Sequence, residues 1–319
     1  MFLNPLSLLP LLPPPSSLVT ARIIRYTRRI MIVIIGIVVL FVMVFGGYVI
    51  AGGKLEPVLE AAPHEMITIG GAGIAAFLIS NSMATIKGMG GAFGGLFKGP
   101  SWKKKDYMDV LTLLYLLTKT MKTKGIIALE SHIENPKESN IFSQFPNILH
   151  DHFAADLICD TLRMMTMNMD DPHQIENHID KQIEKHHHEA LGPSHAMQSL
   201  ADGLPALGIV AAVLGVIKTM GSIDQPPPVL GAMIGGALVG TFLGVFLAYG
   251  LVGPMSAQMA IVSNANATMY HIIRDVLVSY LHGNAVQVAV EMGRAGIPSE
   301  FQPTFAEVEE ATNNAKVEG

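Results

Sequence analysis

Few residues of this chain combine the types and the spacing that a chemical site requires. The most prominent candidates are the consecutive histidines His186, His187 and His188. Neighbouring residues on a helix point about 100° apart, so these three rings cannot converge on one metal ion, and His173 and His178 are also poorly spaced. We therefore predict no metal site. A solvated helix face is the favoured interpretation, and a pH-sensitive contact is the alternative.

The composition is that of a membrane protein. Half of the 319 residues are hydrophobic and only 15% are charged, and the mean hydropathy is +0.41. A soluble domain of this length would not stay dispersed with so apolar a composition. The formal net charge of -5 lacks the basic excess of a nucleic-acid binder, so nucleic acid is not expected as a partner.

The apolar parts of the chain lack a buried carboxylate. Isolated charges are expensive at bilayer depth, so a protein that moves ions usually shows one there as its relay. If ions move through this protein, another molecule must hold them. Cys159, the only cysteine, follows two apolar residues and is interpreted as a core residue in a reducing compartment.

Four apolar stretches are long enough to cross a membrane, because a helix rises about 1.5 Å per residue and roughly 20 residues span a hydrocarbon core of about 30 Å. Two precede and two follow a long hydrophilic insert. The predicted fold is an all-α integral membrane protein, with four transmembrane helices in a 2+2 arrangement and a helical cytoplasmic domain between the second and the third. The predicted spans are 30–53, 65–87, 199–219 and 229–254, and the insert is 88–198.

Basic residues flank the apolar stretches mainly on one side, and Lys218 at the outer end of the third span is a minor exception. The short connectors 54–65 and 220–228 hold a single lysine between them. Because cytoplasmic loops carry an excess of Lys and Arg, we place both termini and the insert in the cytoplasm. The residues that decide this are Arg22, Arg25, Arg28 and Arg29 before the first span, and Lys87, Lys98, Lys103, Lys104 and Lys105 after the second.

The two ends of the chain differ from its middle. In the Pro/Leu-rich leader 1–29 the apolar part precedes the basic part, which reverses the order of a secretory signal. A start codon assigned too far upstream explains this leader as well as a functional tail does. Residues 255–319 are predicted to continue as a cytoplasmic helix to Gly283, followed by an acidic tail whose extreme end is expected to be disordered.

Helical spacing within the insert predicts two of its helices. One has an apolar side between 107 and 117. The other begins at Asp171, which can cap it, with Pro172 in the first turn and Gln174 as a capping-box partner. The apolar side of the first helix is Val110, Leu113, Leu114 and Leu117, and that of the second is Ile175, Ile179 and Ile183.

Small residues recur along the fourth span. Gly231 and Gly235, Gly236 and Gly240, and Gly240 and Gly244 are each four residues apart, which places near-flat backbone on the helix surface. Such a pattern suits a seam between helices of one subunit. Three repeats facing a third span that is also rich in small residues favour helices that pack around a central element.

The sequence of the last two spans resembles the MotA family of flagellar stator proteins. The residues that carry the resemblance are 204–221 and 236–250, and 45–48, 71–74 and 129–136 fit it as well. It extends over about residues 31–307. The resemblance implies a homo-oligomeric ring, pentameric in the family, around two transmembrane helices of MotB, which supplies the proton-accepting aspartate. It implies a torque-generating stator subunit of the bacterial inner membrane, with no enzymatic activity and no cofactor.

The resemblance also implies roles for individual residues in the membrane. Thr241 matches the threonine of the cation path. Ala211 and Ala212 stand where sodium-driven relatives tend to place a second threonine, so H+ is favoured over Na+ as the transported ion. Pro205 and Pro254 match prolines that couple ion passage to the cytoplasmic domain, and simple helix punctuation is the alternative for both.

Rotor contact is implied for Lys122 and Glu130, which align with the two charged residues by which the family engages the switch protein FliG. The family more commonly has Arg at the first position. Lys keeps the charge but not the bidentate geometry, so Lys124 is expected to share the contact. Exposed ion pairs contribute only about 0–1 kcal/mol each, which suits a contact that must be released at every step.

Two other classes of protein remain as alternatives. The ExbB/TolQ energy transducers resemble this chain at the third and fourth spans, but they have three spans in a different order. A secondary transporter would show internal repeats or broken helices with charged residues at the membrane midplane, and the sequence shows neither.

Overall fold

The computed structural model describes residues 15–167 and 171–315, with side chains from residue 31 onward. Within these residues the regular elements are helical and no strand occurs, which confirms the all-α fold class. The α-helices are α1 Pro15–Ile50, α2 Glu56–Ser80, α3 Met83–Lys98, α4 Lys104–Lys124, α5 Glu130–Glu134, α6 Pro146–His150, α7 His152–Thr166, α8 Pro172–Met220, α9 Pro227–Val245, α10 Gly253–Leu281, α11 Val286–Ala295 and α12 Phe305–Asn314. Short 3-10 turns lie at Ile126–Leu129 and Phe142–Gln144.

Among the described residues, four stretches of helix have the length and hydropathy of a membrane span. They are Met31–Ile50, Glu56–Ser80, and parts of Pro172–Met220 and of Pro227–Leu281. The chain divides into two compact units. We call them the span unit, which contains the described part of Met1–Ala76 with Phe93–Gly99 and Leu200–Gly253, and the helical unit, which contains Phe77–Ala92, Pro100–Ser199 and the described part of Pro254–Gly319.

The helix of the second span is shifted toward the N-terminus relative to the predicted 65–87. It begins at Glu56, continues through Pro63 and ends at Ser80. The end has a local cause, because the Asn81 amide donates to the carbonyl of Phe77 at 2.8 Å and competes with the helical ladder. Ser82 then accepts from the backbone N–H of Thr85 at 3.2 Å and so caps α3.

Phenylalanine rings join α1 to the fourth span within the span unit. The Phe41 and Phe246 rings meet edge to face with centroids 5.2 Å apart, and Phe45 meets Phe242 in the same way at 5.9 Å. Edge-to-face pairs of this kind contribute about 0.5–1.5 kcal/mol each beyond the area they bury. The first span is thereby held against the fourth.

A π-helical turn, Phe246–Val252, separates α9 from α10. It ends just before Pro254, which has no N–H and whose ring crowds the carbonyl four residues earlier. A wider turn relieves that crowding, because each π hydrogen bond spans one more residue than an α bond. The helix then continues to Leu281, and Gly283 follows with a φ of 86°, close to the predicted end.

Serines bind α8 to α10 inside the helical unit. The Ser194 hydroxyl donates to the carbonyl of Ser256 at 3.0 Å, and the Ser256 hydroxyl donates to the carbonyl of Ser194 at 2.9 Å. Both residues are buried. Buried polar groups that pair reciprocally in this way fix the register of two helices at one point.

The core of the helical unit surrounds α4. The predicted apolar side of α4 is buried, but so are all the remaining residues from Val110 to Thr118, because α11 and α12 also pack on this helix. The expected one-sided helix is therefore enclosed. The isoleucine stripe Ile175, Ile179 and Ile183 is buried as predicted, and Asp171 caps α8 by accepting from His173 N–H at 3.0 Å.

Cys159 belongs to the same core. It is buried, and burial raises the pKa of its thiol to about 12. A thiol with so high a pKa holds its proton at neutral pH and is a poor nucleophile. The interpretation of Cys159 as a core residue is confirmed.

The tail contains α12. Thr304 and Glu307 form a reciprocal capping box at its start, and the Lys104 ammonium binds the Glu307 carboxylate at 2.7 Å. These bonds, that to Lys104 foremost, lower the pKa of Glu307 to about 2. The extreme end predicted to be disordered includes 316–319, which lie outside the described residues, as do residues 1–14 of the leader.

Replacing Glu307 tests how α12 is held. Glu307→Ala removes both the cap and the ion pair, so the backbone amides of 305–314 should exchange with deuterium several-fold faster than in the parent protein. Glu310→Ala, on the same helix and exposed, is the matched control and should leave the exchange unchanged. Equal exchange in both variants would mean that α12 is held by its apolar contacts alone.

Candidate ion path and helix seam

The third and fourth spans meet backbone to backbone within the span unit. A Cβ placed on Gly244 would lie 2.7 Å from the carbonyl oxygen of Leu204 and 2.9 Å from Cα of Gly208. A Cβ placed on Gly208 would lie 2.8 Å from the carbonyl oxygen of Gly240. No side chain fits at these distances, so glycine is required on both helices.

The seam continues toward the other end of the two helices. A Cβ on Gly215 would lie 2.6 Å from Cβ of Ala237, and one on Gly240 would lie 3.1 Å from Cβ of Ala211. Ala211 is only 2% exposed, so it belongs to the seam. Its neighbour Ala212 is half-buried, and the Ala212 backbone nitrogen lies 3.3 Å from the position that a Cβ on Gly240 would take.

The five glycines singled out in the fourth span therefore have different surroundings. Gly240 and Gly244 lie in the seam inside one subunit. Gly236 approaches α2, where a Cβ would lie 3.7 Å from Cβ of Ala61. Gly231 and Gly235 have no atom within 4 Å of the Cβ position. Open backbone of this kind is available to a neighbouring helix.

Thr241 lies at the border between the seam and an exposed face of α9. Its side chain is half-buried. The exposed face consists of Ile234, Leu238 and Val245, which are 48%, 62% and 43% exposed and follow helical spacing through Thr241. Thr241 is thus the hydroxyl-bearing member of an otherwise apolar stripe.

Glu65, the first residue of the predicted second span, places a carboxylate against this region. Its Oε2 lies 2.8 Å from the Cβ position of Gly240. The side chain is half-buried, and it shares a face of α2 with the buried Ile69 and Gly73 at spacings of four residues. The sequence shows that spacing, which extends the helical pattern through Glu65, the first residue of the predicted span 65–87.

A cleft of about 240 Å³ contains Glu65. It brings together a carboxylate, the imidazole of His64, the hydroxyl of Thr68 and the ammonium of Lys218, beside apolar groups of the third span. Groups that can exchange a proton are thereby collected between α2 and α8. The other lining residues are Ala211, Leu214 and Gly215.

Of the two predicted coupling prolines, Pro205 lies inside a helix and Pro254 lies in the first turn of one. Pro205 is inside α8, between Leu204 and Gly208, the two residues that touch Gly244. Pro254 is the second residue of α10 and follows the π turn. Both prolines therefore adjoin irregular or unusually close backbone.

The predicted rotor-contact residues lie on one turn of the helical unit. Lys122 and Lys124 are exposed at the end of α4, Gly125 turns the chain with a φ of 85°, and Glu130 begins α5 and is exposed. Ile127, between them, is 79% exposed. The turn therefore presents both signs of charge around an apolar side chain.

His186 differs from the solvated face predicted for the triplet. Its ring stacks on Phe153 at 3.8 Å between centroids and meets Tyr270 edge to face. Burial lowers its pKa. The prediction is wrong for His186, whereas His188 is exposed. Within the residues described, no group of three His, Cys, Asp or Glu side chains is arranged to hold a metal ion.

Comparison with known proteins assigns the family. Residues 34–125 match the model described as Motility protein A N-terminal, and residues 149–270 match that of the MotA/TolQ/ExbB proton channel family. Motility protein A of Salmonella typhimurium strain LT2 is 42% identical over 280 residues, covering 88% of this chain and 94% of that protein. The chain belongs to the Motility protein A family.

Solved structures share the fold of this MotA-family chain. The structure of C. jejuni MotAB matches with a TM-score of 0.63 at 18% identity, covering 84% of this chain and 95% of that one. The flagellar MotAB stator complex from Bacillus subtilis matches with a TM-score of 0.62 at 21% identity, covering 84% and 96%. At these identities the likeness concerns the fold.

Gly244→Ala tests the seam of the MotA-family fold. The added methyl would meet the Leu204 carbonyl, so the helices must separate, and we expect a loss of about 1–3 kcal/mol of stability. The matched control is Gly231→Ala, which adds the same methyl in open space and should be neutral or slightly stabilising. Thermal unfolding of the detergent-solubilised protein measures both. Equal melting temperatures would contradict a backbone-to-backbone seam.

Proposed function

We propose that this chain is the stator subunit of a bacterial flagellar motor, which together with MotB conducts protons and converts the proton motive force into torque on the rotor. The observation that carries the proposal is Thr241, half-buried on an otherwise apolar exposed face, in a chain 42% identical to a Motility protein A. The chemistry is ion passage rather than bond formation, so we propose no enzymatic activity and no cofactor.

A partner helix completes the site. The exposed stripe of Ile234, Leu238 and Val245 offers apolar surface and one hydroxyl, and the open backbone at Gly231 and Gly235 permits close approach. We propose that MotB packs here and contributes a transmembrane aspartate. Copies of this chain form a ring around two MotB helices, with five copies as the family resemblance implies.

The proton route passes Glu65 and Thr241. Glu65 Oε2 lies at the Gly240 backbone, next in sequence to Thr241, so we propose that a proton collected in the cleft passes from Glu65 toward the partner helix. Proton rather than sodium transport is favoured because Ala211 is buried in the seam and its side chain has no oxygen that could coordinate a cation. A hard cation without its water needs several oxygen ligands, whereas a proton needs one carboxylate at a time.

Rotor contact takes place at the turn that carries Lys122, Lys124 and Glu130. One charge crossing about 100 mV releases about 2.3 kcal/mol. An exposed ion pair contributes about 0–1 kcal/mol. One proton can therefore release a rotor contact made of exposed charges, here proposed to be with FliG.

The protein is a multi-pass membrane protein of the bacterial inner membrane, and we propose that both termini and the helical unit face the cytoplasm. The lysines that follow the second span support this orientation. An ExbB/TolQ-type energy transducer is the alternative. The match of residues 34–125 to the Motility protein A N-terminal model favours the stator.

Glu65→Gln tests the route. Glutamine keeps the shape but cannot exchange a proton, so proton flux through the complex with MotB should fall at least several-fold while assembly is retained. Glu60→Gln is the matched control, because Glu60 is exposed on the same helix. Flux is measured as acidification of vesicles that contain the complex. Undiminished flux in Glu65→Gln would remove Glu65 from the route.

Reversing the charges at the rotor turn tests torque separately from conduction. Lys122→Glu combined with Glu130→Lys should abolish swimming while the proton flux of the complex stays at the parent level, because both residues are exposed in the helical unit. Lys137→Glu with Glu138→Lys, also exposed, is the control. Undiminished swimming of the first pair would reject the rotor assignment.

A further inference from the structure

A buried serine hydroxyl near the rotor turn has all its hydrogen-bonding positions filled. Ser139 is 4% exposed. Its Oγ accepts from the backbone N–H of Ile141 at 3.2 Å and from that of Phe142 at 3.3 Å, and it lies 2.8 Å from Nδ1 of His132. A hydroxyl has two lone pairs and one proton. Because both lone pairs are used by backbone donors, the proton must go to His132.

This arrangement specifies the protonation state of His132. Nδ1 has to accept, so the ring is neutral and carries its hydrogen on Nε2. A protonated ring would bring a third N–H donor to Ser139, and one of the three bonds would break. The two backbone N–H groups begin the turn at Phe142, whose side chain is fully buried, so a broken bond there leaves a buried donor without a partner.

The pair positions α5. His132 lies on α5, two residues after Glu130 and next to the buried Ile133. Its side chain is half-buried, and its bond to Ser139 ties this short helix to the segment that follows it. A helix of five residues has little stability of its own, so its placement depends on such contacts.

We propose that His132 is a positioning residue that holds Glu130 in its rotor-contact arrangement only while its imidazole is neutral, so that torque falls as the cytoplasm becomes acidic. The proposal rests on the proposed function. It names one additional residue, together with Ser139, that acts through Glu130 rather than by touching the rotor.

The surroundings of His132 also favour its neutral form. Burial first, and then the positive charge of Lys124 at the end of α4, lower the pKa of His132 below its ordinary 6.5. The helix α7 packs on α5 and presents Arg163, which is occupied by Glu134 of α5 at 2.7 Å and by Asp160 at 2.6 Å. Because the folded pKa is lowered, the stabilisation by the neutral ring is complete above pH 6.5 and is lost as the pH falls through the folded value.

His132→Asn separates the hydrogen bond from the titration. Asn Oδ1 is joined to Cγ, as Nδ1 is in histidine, and it accepts a hydrogen bond at any pH. In cells whose internal pH is set between about 7.5 and about 5.5, the range in which histidines titrate, the parent should lose torque more steeply than His132→Asn. His188→Asn, an exposed histidine, should follow the parent, because general effects of acid act on all three proteins. Coincident profiles for the parent and His132→Asn would overturn the proposal.

Hydrogen exchange in the purified complex with MotB provides a second readout that does not require rotation. After correction for intrinsic rates, the amides of Ile141 and Phe142 should lose protection on acidification in the parent but keep it in His132→Asn. Ser139→Ala should lack protection at both pH values. Equal loss of protection in the parent and in His132→Asn would overturn the proposal. If the exchange is as expected but the protein drives no rotation at any pH, the stator function is rejected and the role of His132 in positioning α5 stands.

Discussion

Direct contact between the backbones of α8 and α9 constrains the rest of the span unit. Because Gly208 and Gly244 leave no room for side chains between them, the two helices cannot rotate independently, and every larger side chain is directed elsewhere. The face of α9 that remains holds Thr241 among exposed apolar residues, and α2 brings Glu65 to the outside of the seam at Gly240. The positions of the polar groups thus follow from the positions of the glycines.

In a membrane region with few charges, each polar group interacts strongly with its neighbours. Electrostatic interactions are stronger where water is excluded, and a carboxylate there changes its protonation more readily than it keeps an unpaired charge. In the helical unit the opposite holds, since the charges of Lys122, Lys124 and Glu130 are exposed and individually weak. Strong interactions along the proposed ion path and weak ones at the proposed rotor contact are what the proposed stator function requires.

Sequence reasoning succeeded where periodicity is strong and a single factor decides. Mean hydropathy and apolar length identified the membrane stretches, and the three isoleucines of α8 are buried as their spacing predicts.

Sequence reasoning failed where two factors compete. The predicted second span begins at the charged Glu65, although the helical spacing to Ile69 continues through that residue. The side-chain hydrogen bond of Asn81 ends α2 inside an apolar stretch. The enclosure of α4 and the stacking of His186 depend on elements distant in sequence, which no local pattern reveals.

The π turn at Phe246–Val252 makes the fourth span tolerant of a change in its length. A π turn holds one surplus residue relative to an α-helix. A deletion within it would return the segment to regular helix and leave the faces of α9 and α10 as they are on either side, whereas a deletion elsewhere in these helices would rotate one face by about 100°. Chains that differ by one residue in this span can therefore keep the same seam.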